Sequence, residues 1–427
     1  MAEQILNKTS YREFAAAKSS KRPGKGRKTG QRPPAVGNNP QRGRSNMRVV
    51  SVRHARASQD YTLIAIVLFL IAFGLMMLYS TSSYEAALDF NGDSAHYLKR
   101  QAAATAVGIA VMVVVSYVPL KLWRRFSWWI YLFSLIMVFL VYPFGTRVNG
   151  AKRWIYIGPV SIQPAEICKF AIIVLMAVNL SRVSVKILKS KQTTLLLLAP
   201  ALVQAGAILI ITTNLSSAAI VGMIAVSMLF VTDDHYGRYF IFLAGVVGVC
   251  VLAVVIAVQT QGSLSFRFNR ILVWLDPAAY SDDTGYQVLQ GLYGVGSGGI
   301  FGKGLGQSMQ KLGYIPEAQN DMIFSIICEE LGMFGAISII MLFVILCWRI
   351  MNIANHAKSR YESLLAVGVM IHIAVQVILN IAVVTNSIPN TGVTLPFFSY
   401  GGSAIVILLA EIGLVLAVAR NTSRAER

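Results

Sequence analysis

The chain has 427 residues, of which 55% are hydrophobic and only 13% are charged. This composition is too apolar for an ordinary soluble domain and excludes that class. Much of the net charge of +19 lies in residues 1–58, which hold fourteen Lys and Arg residues against Glu3 and Glu13. Because this segment is rich in Gly, Pro, Ser and Gln, it is predicted to be a disordered cytoplasmic tail. A basic segment beside a first span typically lies against anionic lipid, so no nucleic-acid partner is predicted.

Ten apolar blocks follow the tail, and most are long enough to cross about 30 Å of hydrocarbon as a helix. They lie at Tyr61–Tyr79, Ala102–Val118, Trp128–Tyr142, Ile167–Leu180, Leu195–Thr212, Ser216–Val231, Phe240–Val258, Met322–Trp348, Leu364–Val384 and Ser403–Ala419. The predicted fold is an all-α integral membrane protein with a bundle of about ten transmembrane helices in residues 59–420. One large extracytoplasmic loop, residues 259–321, separates spans 7 and 8, and residues 421–427 form a cytoplasmic C-terminal tail.

The charges in the short loops give an independent test of this topology. If the N-terminus is inside, eleven Lys and Arg residues fall in short inner loops and five in short outer loops. The inner residues are Lys121, Arg124, Arg125, Arg182, Lys186, Lys189, Lys191, Arg238, Arg349, Lys358 and Arg360; the outer ones are Lys99, Arg100, Arg147, Lys152 and Arg153. The positive-inside rule then predicts an even number of spans in a cytoplasmic membrane, with both termini in the cytoplasm.

The four cysteines, Cys168, Cys250, Cys328 and Cys347, all fall within predicted spans. Because none lies in the oxidising compartment where disulfides persist, no disulfide framework is predicted. They are interpreted as small apolar packing residues.

The loop between spans 7 and 8 has three parts. Phe266–Leu275 is amphipathic and predicts a helix lying in the membrane interface, which Asp276-Pro277 ends. Gly291–Gly306 is half glycine. It is not interpreted as a dinucleotide-binding turn, because no strand precedes it, nor as a P-loop, because the required Ser or Thr is missing. Two interpretations stay open: an anion-binding backbone nest to which Lys303 adds charge, or a flexible loop against the membrane.

The start of the fourth span combines polar groups with a helix start. Pro164 suits the first turn of a helix, and Glu166 falls in that turn, where its charge favours the helix dipole. Glu166 and Lys169 are three residues apart and lie on one helix face. They form either a structural ion pair or a functional site, because an ionisable residue inside hydrocarbon is costly.

Four further acids lie at or inside the later spans. Glu329, Glu330 and Glu411 lie within predicted spans, where polar residues commonly join helices, and they are interpreted as structural. Asp321 lies where the long loop meets span 8. A carboxylate at a partly desolvated boundary can have a raised pKa, as a general base requires, but an Asp here could equally be the N-cap of the helix.

Three stretches together resemble one family: GAKRWIYIGPVSIQPAEICK, GYQVLQGLYGVGSGGIFGKGLGQSMQKLGYIPEAQNDMIFSIICEELG and PNTGVTLPFFSYGGS. They are similar to the hallmark stretches of the SEDS proteins (shape, elongation, division and sporulation), and most similar to the division and sporulation branches. The resemblance spans Asp60–Arg420. It departs from the family pattern at Ala165, Gly291, Gln319-Asn320 and Met322, and none of these departures removes a titratable group.

The resemblance implies a ten-span peptidoglycan glycosyltransferase that polymerises lipid II on the outer face of the membrane. The family's essential loop aspartate falls on Asp321, and its QPSE…K element falls on Gln163, Pro164, Glu166 and Lys169. The implied partners are lipid II, a class B penicillin-binding protein with transpeptidase activity, and, for the division branch, other membrane proteins of the divisome at the septum.

The expected chemistry is an inverting glycosyl transfer with Asp321 as the base for the attacking hydroxyl. Positive charge for the departing pyrophosphate would come from cations, and the candidates are Arg153, Lys169, Arg270 and Lys303. A divalent cation, Mg²⁺ or Mn²⁺, could share this task, although no ligand cluster in the sequence requires one. Two alternatives stay open: a lipid II flippase and a non-catalytic scaffold that recruits the penicillin-binding protein.

Overall fold

The structure is a computed structural model that describes residues 60–148, 151–158, 160–184, 190–233, 237–259, 266–280 and 284–423. The predicted tails, residues 1–58 and 421–427, lie outside these ranges except for residues 421–423. Ten long helices are α1 Tyr61–Asp89, α2 His96–Tyr117, α3 Leu120–Phe144, α4 Pro164–Arg182, α5 Lys191–Ile211, α6 Leu215–Thr232, α7 Gly237–Gln259, α10 Ile323–Asn355, α11 Arg360–Val384 and α12 Gly402–Ser423. Two shorter helices lie between α7 and α10: α8 Phe266–Leu275 and α9 Thr284–Ser297.

Nine helices of the described residues are long and apolar enough to cross a membrane. The remaining predicted span, Phe240–Val258, falls on α7, whose 23 residues exceed the length of about 20 needed for a crossing. The prediction of an all-α membrane bundle is confirmed. The two shortest predicted spans extend further than hydropathy indicated: α3 begins at Leu120, so that Arg124 and Arg125 lie on its first turns, and α4 spans Pro164–Arg182.

A small β-sheet precedes α4, and hydropathy did not predict it. Strands β1 Gly145–Val148, β2 Ala151–Ile157 and β3 Val160–Ile162 pair in the order β1-β2-β3, and both pairings are antiparallel. Gly145 is opposite Ile155, and Ile157 is opposite Val160. The sheet turns the chain at this end of the bundle and delivers Gln163 directly to the first turn of α4.

The predicted helix at Phe266–Leu275 is confirmed as α8, but the prediction of a loop throughout Gly291–Gly306 is wrong. Residues up to Ser297 belong to helix α9, which packs against α10. A Cβ atom added at Gly291 would lie 3.2 Å from Ser325 Oγ, and one added at Gly294 would lie 3.3 Å from the Ser325 carbonyl oxygen. Glycines on one helix face allow two helices to approach closely, so tertiary packing overrides the low helix propensity of glycine here.

Helix α10 is interrupted at Gly332, whose φ of 65° is left-handed. The glycine-rich chain after α9 fills this interruption. The carbonyls of Glu329 and Glu330, left without helical partners, accept hydrogen bonds from the N–H groups of Lys303 and Gly304, both at 2.9 Å. The N–H groups of residues 333 and 334 donate to the carbonyls of residues 299 and 300 at 2.9 and 3.0 Å. These glycines therefore complete a broken helix, and no anion-binding nest is needed to explain them.

Residues 385–401, between α11 and α12, form a non-helical segment that enters the bundle; it is called the re-entrant segment below. Its Phe398 is 1% exposed, and a Cβ added at Gly74 in the middle of α1 would lie 2.2 Å from the Phe397 carbonyl oxygen. Three buried amides supply hydrogen bonds to this backbone: Gln101 from α2, and Gln376 and Asn380 from α11. Irregular backbone at membrane depth requires such partners.

The opposite end of the bundle is basic. There Arg349 pairs with Asp60 at 2.7 Å, Arg360 donates to the carbonyl of Val183 at 2.9 Å, and Arg420 donates to that of Tyr117 at 3.2 Å. These bonds join the start of α1, the ends of α2, α4, α10 and α12 and the start of α11, so these six helices have the relative directions that the predicted topology gives them. This set of helix ends is called the basic end below.

Two glycines of the stretch Gly291–Gly306 provide a stability test of its close packing against α10. A Cβ added at Gly298 would lie 1.9 Å from the Cys328 carbonyl oxygen, whereas one at Gly296 would meet no atom within 4 Å. Gly298→Ala should therefore destabilise the protein by roughly 1–3 kcal/mol, because backbone must shift. Gly296→Ala, the matched control, should be neutral or stabilising by up to about 1 kcal/mol through helix propensity. Thermal unfolding in detergent checks both, and equal melting temperatures would contradict the packing of α9 on α10.

Candidate active site

Asp321 lies at the end of the long loop, two residues before α10 begins at Ile323. The N-cap of α10 is Met322, and no side chain makes a capping hydrogen bond there. The interpretation of Asp321 as a helix cap is therefore wrong. Its side chain is half-buried and lies against the re-entrant segment, where a Cβ added at Gly392 would stand 3.7 Å from Oδ2.

The surroundings of Asp321 favour its protonated form more than water does. Partial removal from water raises the pKa of this carboxyl to about 6, and the negative charge of Glu317 acts in the same direction. The Asp321 backbone N–H and the positive charge of Arg270 oppose the shift. Within the described residues, no side chain donates a hydrogen bond to this carboxylate. Such a group is ionised near neutral pH yet basic enough to accept a proton.

Helix α11 holds Asp321 and the re-entrant segment together. Asn380, fully buried, donates from Nδ2 to the Asp321 carbonyl at 2.8 Å and to the Val393 carbonyl at 2.7 Å. One turn earlier, Gln376 donates from Nε2 to the carbonyl and the hydroxyl of Thr394, both at 3.1 Å. These two amides fix the backbone of Asp321 against the segment that its carboxylate faces.

Helices α8 and α9 also contact the re-entrant segment. Arg270 donates to the Asn390 carbonyl at 3.2 Å, and the Trp274 indole donates to the Asn386 carbonyl at 2.9 Å. Asn390 in turn donates to Gln287 of α9 at 3.3 Å. The predicted cation Arg270 is thus placed beside the loop that carries Gly392, on the same side of the bundle as Asp321.

Glu166 and Lys169 form the predicted ion pair, with 2.7 Å between Oε2 and Nζ and side chains that are 8% and 2% exposed. Lys169 also donates to Gln376 at 3.2 Å. Because Gln376 binds Thr394, the pair is joined through one side chain to the re-entrant segment. A cavity of about 20 Å³ between Glu166, Gln376 and Thr394 has room for about one water molecule. The structure therefore connects the start of α4 to the surroundings of Asp321.

The other predicted residues lie in three places. Lys303 is bound to Glu329 at 2.6 Å and to Ser297 at 2.9 Å. It is therefore one of the contacts around the interruption of α10 at Gly332. Arg153 lies on β2 of the small sheet. Gln163 precedes α4, and its N–H donates to the Ser403 hydroxyl of α12 at 3.2 Å.

The acids within the spans have the structural partners that the sequence led us to expect. Glu329 accepts hydrogen bonds from Ser308 and from the N–H groups of residues 309 and 310, in addition to Lys303. Glu330 pairs with Lys311 at 2.8 Å and accepts from Ser80 of α1. Both acids thereby fasten the long loop to α10 and α1.

Four buried polar residues were not predicted from the sequence: Gln101, His372, Gln376 and Asn380. His372 lies 2.7 Å from Glu411, and both side chains are almost fully buried. The signal was available, since each is a polar side chain inside an apolar run, and such residues in a span join helices or support irregular backbone. The three amides carry no charge, so the ionisable residues that drew notice in the sequence did not include them; His372 is ionisable and gave a signal that was not used.

The four cysteines are free, and Cys168 and Cys328 are buried. Both positions fit the prediction that they serve as small apolar packing residues.

Together the fold and the site define a polytopic membrane protein that holds a half-buried carboxylate at one end of its bundle, beside a re-entrant segment that two loop helices contact. A family model described as "Cell cycle protein", which joins FtsW, RodA and SpoVE, matches residues 61–424. The chain belongs to this family, and the resemblance drawn from its three hallmark stretches is confirmed.

Individual relatives cover nearly the same residues. Stage V sporulation protein E of Bacillus subtilis (strain 168) is 37% identical over 370 residues, which are 86% of this chain and 98% of that protein. The probable peptidoglycan glycosyltransferase FtsW of Trichlorobacter lovleyi is 36% identical over 378 residues, 86% of this chain and 95% of that protein. Both the sporulation and the division branch are therefore represented.

Two solved structures share the fold. One, from work on the structural coordination of polymerization and crosslinking by a peptidoglycan synthase complex, has a TM-score of 0.66 and 26% identity, covering 86% of this chain and 98% of that chain. The other is Thermus thermophilus Rod shape determining protein RodA, with a TM-score of 0.62 and 24% identity, covering 85% and 97%. The second likeness concerns the fold alone.

The buried pair at the start of α4 generates a stability prediction. Lys169→Met leaves the Glu166 carboxylate buried without its cation, and Glu166→Gln leaves the Lys169 ammonium buried without its anion. Each should destabilise the protein by roughly 3–5 kcal/mol. The double variant Glu166→Gln with Lys169→Met removes both charges and should recover part of the loss. Melting temperatures in detergent check this, and single variants as stable as the parent would show that the pair is solvated.

Proposed function

We propose that this protein is a peptidoglycan glycosyltransferase that polymerises lipid II into glycan strands on the outer face of the cytoplasmic membrane, for septal cell-wall synthesis in division. Membership of the FtsW, RodA and SpoVE family supports the activity, and so do the names of the curated relatives. The observation that carries the proposal is Asp321. It is a half-buried carboxylate with a pKa of about 6 at the junction of the large loop and α10.

In the proposed reaction, the 4-hydroxyl of the GlcNAc of lipid II attacks the anomeric carbon of the terminal MurNAc of the growing strand. The new C–O bond forms as the bond to undecaprenyl pyrophosphate breaks, the configuration inverts, and the pyrophosphate takes the electron pair. Asp321 accepts the hydroxyl proton, which is general-base catalysis. The reaction therefore needs this carboxylate ionised and within hydrogen-bond distance of the attacking oxygen.

The departing pyrophosphate needs positive charge. Arg270 is the best-placed candidate because its guanidinium binds the loop that faces Asp321. Lys169 and Lys303 are held by Glu166 and Glu329, so their charges are partly used within the protein, and Arg153 on β2 completes the set of proposed cations. We further propose that Mg²⁺ or Mn²⁺ could share this role.

Orientation follows from the charge of the two ends. The basic end carries Arg182, Arg349, Arg360 and Arg420, and the positive-inside rule places it in the cytoplasm. Asp321 then faces outward, where lipid II presents its disaccharide. The proposed partners are lipid II, a class B penicillin-binding protein that cross-links the product, and other divisome membrane proteins. A relative in fold belongs to a complex that coordinates polymerization and crosslinking.

Asp321→Asn is the decisive test. The change keeps the shape of the side chain but abolishes its basicity, and general-base catalysis contributes about 10²–10⁴-fold. Glycan synthesis from labelled lipid II by the purified protein with its penicillin-binding partner should fall by that factor. Asp276→Asn is the matched control: this exposed carboxylate of the same loop accepts from the Ala279 N–H at 3.2 Å, which an asparagine oxygen can also do.

Full polymerase activity in Asp321→Asn, with normal insertion and partner binding, would overturn the assignment of the base. A parent protein that forms no glycan under these conditions but moves lipid II across vesicles would favour the flippase. One that only binds the penicillin-binding protein would favour the scaffold.

The pH profile gives a second test with a definite sign. Since Asp321 acts as a base with a pKa of about 6, glycan synthesis should fall as pH drops through 6, tenfold per pH unit below it. Glu317 raises this pKa, so Glu317→Gln should move the acid limb to lower pH. Arg270 lowers it, so Arg270→Gln should move the limb to higher pH, besides weakening pyrophosphate binding. Acid limbs unchanged in both variants would show that Asp321 does not control the profile.

A further inference from the structure

A groove at the basic end takes no part in the site described above. Its volume is about 540 Å³, and it lies between the first half of α3, the last turns of α4 and the first half of α5. Its walls are mainly apolar: Trp128, Tyr131, Leu196, Leu197, Pro200 and Val203. The volume falls in the range of about 300–1,000 Å³ that is usual for small-molecule sites.

The groove opens toward hydrocarbon. Leu196 is 75% exposed, Val203 is 55% exposed and Trp128 is 52% exposed, and all three lie on helices that qualify as membrane spans. Apolar side chains exposed at membrane depth face lipid tails, not water. An acyl chain is therefore the occupant that the surroundings of this groove supply.

One end of the groove is polar. Asn179 and Arg182 line it, and because they are three residues apart they lie on one face of α4. Within the described part of the chain, neither side chain makes a hydrogen bond or an ion pair. An amide inside a span without a partner is costly, and Arg182 is the last residue of α4, at the depth where lipid headgroups lie. This end of the groove suits a ligand with anionic oxygens.

The neighbouring arginines, unlike Arg182, have partners among the described residues of the protein. Arg349 is paired with Asp60, Arg360 binds the Val183 carbonyl, and Arg124 lies over the Tyr361 ring. Their summed charge attracts anionic lipid to this end of the bundle, while Arg182 remains available at the groove itself.

We propose that the groove is a binding site for one anionic phospholipid. Its acyl chain fills the apolar part, and its phosphate accepts hydrogen bonds from Arg182 and Asn179. Because α4 begins beside the surroundings of Asp321 and ends at Arg182, the groove and the proposed catalytic carboxylate lie at opposite ends of the bundle. The lipid is therefore not the glycosyl substrate.

The test is a titration of the full-length protein in detergent, followed by native mass spectrometry. Phosphatidylglycerol should bind at one saturable site, and phosphatidylcholine with the same acyl chains should bind more weakly. Arg182→Gln should weaken phosphatidylglycerol binding about fivefold, the effect of one cation near a headgroup. Lys121→Gln, a change of an exposed cation of α3 outside the groove, is the matched control and should leave binding unchanged.

A second set of variants fills the groove without changing charge. Ala199→Trp should weaken the binding of both lipids, and Leu196→Trp at a more exposed position of the wall serves if the first variant does not fold. Melting temperatures of the delipidated proteins verify folding.

Three results would overturn the proposal. Equal binding of the two lipids together with an unaffected Arg182→Gln variant would show that no headgroup is recognised. Full displacement by glycerol 3-phosphate would show a site for free anions. Preference for undecaprenyl pyrophosphate over phosphatidylglycerol would assign the groove to the substrate lipid and favour the flippase.

Discussion

Inside a bilayer, a backbone N–H or C=O group without a protein partner has no water to bind, and this constraint governs the architecture around the site. The chain departs from regular helix at membrane depth at Gly332 of α10 and in the re-entrant segment, residues 385–401. Both departures are possible because another part of the chain supplies the missing hydrogen bonds. The stretch after α9 completes α10, and the amides of Gln101, Gln376 and Asn380 support the re-entrant segment.

The position of Asp321 follows from these two sets of hydrogen bonds. The chain that completes α10 is fastened by Glu329 and Glu330, and it continues directly into the turns that end at Asp321. The segment supported by Asn380 forms the opposite wall, and the same Nδ2 atom binds the Asp321 carbonyl. These contacts hold the backbone of Asp321, the proposed base, and catalytic groups in general must be held to within about 0.5 Å of the productive geometry.

Hydropathy and charge predicted the spans, the relative direction of several helices and the amphipathic helix α8, because these features depend on transfer of side chains into hydrocarbon. They did not predict the sheet at Gly145–Ile162, whose strands are too short for a membrane-scale signal and depend on local pairing. Nor did they predict that the glycines of α9 are helical. Gly291 and Gly294 of α9, and Gly298 directly after its end, fall at spacings of three and four, which is a helix-packing pattern, yet the high glycine content suggested a loop.

Among the candidate residues, bound partners distinguish Asp321, the proposed base, from the other acids. Glu166, Glu329 and Glu330 each have a lysine within 2.8 Å, and Glu411 has His372 at 2.7 Å. Removing Glu166 or Glu330 from its pair leaves a buried lysine without its anion, which is costly, and an acid that is held by a cation is poorly placed to exchange protons. Asp321 has no such cation in contact within the described residues; the charge of Arg270 acts on it only from a distance, against the opposing charge of Glu317. A carboxylate that is partly removed from water and lacks a bound cation keeps its basicity, and this is the property that a glycosyl transfer to an alcohol requires.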